Sequence, residues 1–124
     1  MVKCNYIGVV LILIIGVNIM TVKEFLFWHP KEEVYRKAKT YSITSVMTNI
    51  LTTSGGLRNS MSYNNCRGIF ESYIGSFSDV EVISFLKEQC VKAIAYGIET
   101  KDLNWKLYFL VAWDLKDYYQ RVLA

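Results

Sequence analysis

Between Asn5 and Val22 the chain runs for eighteen residues without a charge, and Ile7 to Val22 is a continuous mostly apolar core of sixteen. A spanning helix wants about 20 such residues, with a lower limit near 17, whereas secretory signals carry shorter cores. The run is therefore just long enough to cross a bilayer, and it is closed by Lys23 and Glu24. A signal cleavage site should end in small residues. The residues here are Gly16, Val17, Asn18, Ile19, Met20 and Thr21, with no A-x-A pattern, and Cys4 precedes the core rather than coming after it as a lipoprotein cysteine would. Three readings are open: an uncleaved anchor, ahead of a cleaved signal, ahead of a buried helix of a soluble protein.

The charges on the two sides of the run disagree with a simple export reading. Lys3 stands before it, and Lys23, Lys31, Arg36, Lys37 and Lys39 after it. The positive-inside bias draws the later part to the cytoplasm, though long domains translocate largely regardless of charge.

The hundred or so residues after the run have room for one small domain. Hydrophobic residues are 52% and aromatic residues 15% of the 124, a composition that packs rather than stays disordered. Net charge is +3, with fourteen basic and eleven acidic residues mixed along the chain, which is no nucleic-acid stripe.

Phe25 to Trp28, FLFW, would place rings at a membrane interface or in the domain core. His29-Pro30 opens a helix expected to reach about Leu51, weakened in the middle by Thr40, Ser42, Thr44 and Ser45. Thr52 to Asn65 loses periodicity and reads as a long loop, a candidate contact surface. Its Gly55-Gly56 pair lacks the Lys-Ser/Thr ending of a phosphate loop and reads as chain reversal.

Cys66, Ile69, Phe70, Tyr73, Ile74 and Phe77 fall on one helical face. Ser78 and Glu81 match a capping box, which starts a helix through Val80, Ile83, Leu86, Cys90 and Ile94 towards Gly97. The last helix, about Leu103 to Leu123, is apolar around most of its circumference, so it is the centre of a bundle or lends a face to a partner.

If the two middle helices form a hairpin turning at Ser78, Cys66 and Cys90 each lie twelve residues from the turn, at equal height on facing apolar stripes. A Cys66–Cys90 disulfide is the expectation, and it would require an oxidising compartment. On that ground the domain is placed in the periplasm or outside the cell, either anchored or secreted after cleavage; without a bridge it would face the cytoplasm.

The single histidine, His29, stands between Trp28 and Pro30, and neither a nucleophile arrangement nor a spaced ligand set accompanies it. Asp114 and Asp117 share a helix face, which could serve acid/base work but is more usually a solvated face. No cofactor, metal, small-molecule substrate or nucleic acid is implied.

The expected architecture is all-α: residues 1–28 as an anchor or signal with an interfacial aromatic segment, and residues 29–124 as a small irregular four-helix domain with a disulfide-linked hairpin. The expected function is non-enzymatic: a protein-binding module of inhibitor or immunity type, attached to the membrane through residues 5–22. Leu57, Arg58, Met61 and Tyr63 in the loop, with Trp105 and Trp113 on the last helix, are the expected contact residues. A structural accessory subunit of a larger membrane complex is the alternative, with self-association also compatible, and a small enzyme using Asp114 and Asp117 comes third.

Overall fold

The computed structural model describes residues 20–53 and 55–123, and over these the chain is helical, with no strand. Six α-helices occur in order: α1 Val22–Phe27, α2 Glu32–Lys39, α3 Ile43–Thr53, α4 Met61–Ile74, α5 Asp79–Thr100 and α6 Asn104–Val122, with a 3-10 turn at Leu57–Asn59. Among the described residues no helix is long and apolar enough to cross a membrane. The expected anchor lies almost wholly in residues 1–19, outside the described part.

α6 is the axis of the bundle. Its residues Leu107 to Ala112 are all buried. At about 100° per residue, six consecutive positions sweep the whole circumference, so this helix is enclosed on every side. α5 packs along it most extensively, α4 packs on another side, α3 touches it, α2 lies on α5, and α1 rests on α4.

The helix expected from Pro30 to Leu51 is divided in two. The Thr40 hydroxyl donates to the Lys37 carbonyl (2.7 Å), and the Ser42 hydroxyl accepts from the Ser45 N–H (3.3 Å). Short hydroxyl side chains here compete with the helix and cap the next one. That supplies two of the six helices where one was expected.

The expected loop over 52–65 is mostly helix. α3 runs to Thr53, and Ser60 starts α4 by accepting from the Tyr63 N–H (3.1 Å). Only residues 54–60 connect them, turning at Gly56, whose φ of 81° favours glycine. Ser62, Asn64 and Asn65 looked like loop residues because they occupy the exposed side of α4.

The Ser78–Glu81 capping box is present: Ser78 N–H donates to Glu81 Oε1 (2.9 Å) and Glu81 N–H to Ser78 Oγ (3.4 Å). α5 then continues past Gly97 and ends at Lys101, which takes the left-handed conformation.

The expected Cys66–Cys90 bridge is absent; both cysteines are free and fully buried. Next to their turn α4 and α5 meet through Tyr73 and Phe85 (ring centroids 5.2 Å), but along their length each packs on α6. Cys66 lies within electrostatic reach of Tyr108, and Cys90 within that of Lys116 and Asp114, all on α6. Equal height on a hairpin does not bring two thiols together when a third helix is what both elements pack on.

The core also includes residues ahead of Pro30. Phe25 and Leu26 are buried, while Phe27 is 64% exposed. Phe25 stacks on Tyr108 (4.5 Å) and meets Tyr96 edge-on (5.7 Å), and Trp28 meets Tyr96 at 5.6 Å. Such offset and edge contacts add to the area they bury.

Candidate functional site: a groove between the first and fourth helices

α1 is only six residues long, and its position is set by hydrogen bonds as much as by burial. Thr21 and Glu24 form a reciprocal cap at its start. Met20 N–H donates to the Tyr96 hydroxyl (3.0 Å), and the Tyr108 hydroxyl donates to the Met20 carbonyl (2.8 Å). At its other end Lys92, almost fully buried on α5, donates from Nζ to the Leu26 carbonyl (3.0 Å) and stands 5.0 Å above the Phe25 ring. A last-turn carbonyl of α1 is thus satisfied by a cation, which the helix dipole also favours.

Burial pushes the Lys92 ammonium down to about 8, with Glu88 pulling it partly back. It lifts the hydroxyls of Tyr96 and Tyr108 well above the usual phenol range, helped at Tyr96 by the hydrogen bond it donates to Asp102 Oδ2. These groups hold the backbone of α1 in place on α5 and α6.

Fixed there, α1 forms one wall of a groove of about 570 Å³. Leu26 and Phe27 line it from α1, and Asn64, Gly68, Ser72 and Tyr73 from α4, with Lys23 at the rim. The Phe27 and Tyr73 rings meet edge-on at 5.4 Å. The groove therefore offers apolar rings, two neighbouring amides at Asn64 and Asn65, a hydroxyl and a cation.

Gly68 is the telling residue. It lies in the interior of α4, where glycine costs about 1 kcal/mol relative to alanine. No atom lies within 4 Å of where its Cβ would stand, and its φ is ordinary, so packing does not require glycine there.

The expected contact residues are distributed differently. Arg58 donates from Nε and Nη2 to Asp114 (2.8 and 2.7 Å), and the Tyr63 hydroxyl donates to the same carboxylate (2.5 Å). Arg67 Nη1 donates to the Tyr63 hydroxyl (3.0 Å). Tyr63 is thereby a buried strut, whereas Arg58 remains 41% exposed in its side chain and held in one orientation. Leu57 packs against the core, and Met61 projects freely with 80% exposure.

Trp105 packs on Gly97 and Trp113 stacks on Phe109 beneath the Lys116 ammonium, 4.0 Å from the ring. None of the six expected residues lines the α1–α4 groove. Its position depends on where α1 docks, and the sequence carries only one pointer to it, a glycine inside a helix.

Asp114 and Asp117 do not act as a pair. Asp114 receives Arg58 and Tyr63, and Asp117 receives Arg121 at 3.3 Å in solvent. His29 is exposed, and among the described residues no three His, Cys, Asp or Glu side chains gather as a metal site would need.

No family model matches the chain, and comparison with curated proteins and with solved structures finds no match.

Proposed function

We propose that this protein is a non-enzymatic protein-binding module of the inhibitor or immunity type, attached to the membrane by its N-terminal apolar segment, and that the α1–α4 groove takes a segment of its protein target. The observation that carries this reading is Gly68. A mid-helix glycine that no neighbour requires is a local cost, and such costs are expected where function sets the residue. Leaving that position bare keeps the groove open.

The groove's chemistry suits a peptide segment with one apolar side chain laid against the Phe27–Tyr73 ring pair and backbone groups on the Asn64 and Asn65 amides.

A photo-crosslinking amino acid at Ser72 in the full-length protein tests this in the native cell. One discrete protein adduct from Ser72, absent when the same group is placed at Val80, is expected. No adduct, or the same adduct from both positions, contradicts the reading.

The accessory-subunit alternative draws on other residues. Val80 and Val122, at the start of α5 and the end of α6, are 81% and 56% exposed and would suit contact with neighbouring chains. It predicts adducts from Val80 rather than from Ser72.

The placement outside the cytoplasm rested on the disulfide. With both thiols free that support is gone. Reaction of a membrane-impermeant maleimide with an engineered exposed cysteine, Val80→Cys in a Cys4→Ser background, in intact and permeabilised cells decides the side.

A further inference from the structure

The chain enters the described body at Met20, whose N–H and carbonyl are both held by phenol hydroxyls of the core. One of these, Tyr96, also donates to Asp102 in the turn between α5 and α6 (2.5 Å). The point where the apolar segment leaves the body therefore lies one hydroxyl away from the α5–α6 turn.

That turn carries Leu103, which is 74% exposed. Leu103, Asn104 and Lys106 share a cleft with Ser60 and Ser62, which puts Met61, 80% exposed, on the same end of the bundle. Lys101 is exposed just before Leu103, and Lys106 is half-buried one turn into α6.

The nearby carboxylates are mostly engaged. Asp102 accepts from Tyr96 and from the Asn104 N–H (3.1 Å), and Glu24 accepts from Thr21 within its cap (2.8 Å). Glu99, exposed on the last turn of α5, is the remaining counter-charge.

Leu103 and Met61, large apolar side chains projecting into water near Lys101 and Lys106 at the end of the body where the uncharged run of residues 5–22 closes, match a lipid interface better than a free surface. We propose that this end of the bundle rests on the membrane, with Leu103 and Met61 in the headgroup–acyl boundary and Lys101 and Lys106 on lipid phosphates. This rests on the reading that the N-terminal apolar segment enters the bilayer; since Met20 and Val22 pack on the core, the part that inserts lies ahead of Met20. The hydrogen bonds at Met20 then make the contact productive, because an end fixed next to the entry point meets the membrane in one orientation. The groove on α1 and α4 would be presented in a constant pose to a target in or near the same membrane.

The test uses full-length protein in phosphatidylcholine vesicles with and without phosphatidylglycerol. An environment-sensitive fluorophore is attached to Leu103→Cys, Val80→Cys or Val10→Cys in a Cys4→Ser background, with Cys66 and Cys90 shielded by burial. The label at 103 should shift to shorter wavelength and be quenched by doxyl-labelled lipid, more strongly with phosphatidylglycerol present. The label at 80, a helix length away, should show neither. Adding Lys101→Gln and Lys106→Gln should reduce quenching at 103 to the level in phosphatidylcholine alone.

Quenching at 10 but not at 103 would leave the anchor standing and overturn the second contact. A wavelength shift at 103 without lipid quenching would mean a protein neighbour and also overturn it. No quenching at 10 would overturn the anchor reading and this contact together.

Discussion

Gly97 and Trp105 meet so closely across the α5–α6 interface that a Cβ on Gly97 would stand 2.6 Å from the indole Cγ and 2.7 Å from Cδ1. The indole lies over the bare backbone of α5, and the close atoms sit at the root of the ring rather than at its far end, so relief requires moving the whole side chain. Gly97→Ala should therefore destabilise by roughly 1–3 kcal/mol despite the better helix propensity of alanine. Gly68→Ala, with open space in front of it, should stabilise by about 0.5–1 kcal/mol. Urea midpoints at unchanged m-value check both, and opposite signs are the expected result.

Asp114 should matter far more to stability than either of its neighbours in charge. Asp114→Ala removes the acceptor of the Tyr63 hydroxyl, which keeps only the bond it receives from Arg67, and releases Arg58, at a cost of roughly 2 kcal/mol. Arg58→Ala should cost under ~1 kcal/mol, because that side chain is 41% exposed and solvent screens its ion pair. Asp117→Asn, on an exposed pair, should stay within ~0.5 kcal/mol. Thermal or chemical melts of the three variants give the order directly.

Alkaline pH should separate two buried chemistries. Burial pushes the Cys66 and Cys90 thiols up to about 12 from an ordinary 9.0. The unfolded chain ionises them first, so stability present below about pH 9 is lost as pH rises towards 12. Lys92 works in the opposite sense. Its folded value is lowered to about 8 from 10.5, so the unfolded chain holds the extra proton and stability gains as pH rises between them. Wild type should therefore gain stability relative to Lys92→Met between about pH 8 and 10.5, and both should fall steeply above that range. A constant difference across the range would contradict the buried position of the ammonium.

Much of the fold was legible because it is written in local chemistry. Ser78 and Glu81 announce the start of α5 by their spacing alone, and the all-round apolarity of α6 leaves two readings, a central place or a face lent to a partner, of which its burial shows the first. Ser42 and Thr40 were visible as weak points, but whether hydroxyls bend a helix or divide it depends on what α2 and α3 pack against. Gly97 reads as a helix end because glycine commonly ends helices; it is a contact glycine instead, and only the position of Trp105 reveals that.

The cysteines show the same limit. Register on a hairpin can be counted, yet the packing of both helices on α6 is a tertiary fact. FLFW divides for the same reason: Phe25 enters the core and Phe27 the groove, because residues more than sixty positions away in sequence fix this backbone, Lys92 at Leu26 and Tyr96 and Tyr108 at Met20. Arg58 and Met61, expected as contacts from residue type, are exposed, while nothing in their residue types points to Asn64 and Ser72 as groove residues.

The most direct test of the account is to fill the groove without disturbing the fold. Gly68→Arg places a long side chain where nothing lies within 4 Å, on a helix that arginine favours over glycine. The full-length variant should melt at or above the wild-type temperature, and the adduct formed from Ser72 in the cell should disappear. An undiminished adduct with a stable fold would contradict the groove as the contact surface, and with it the function proposed for this chain.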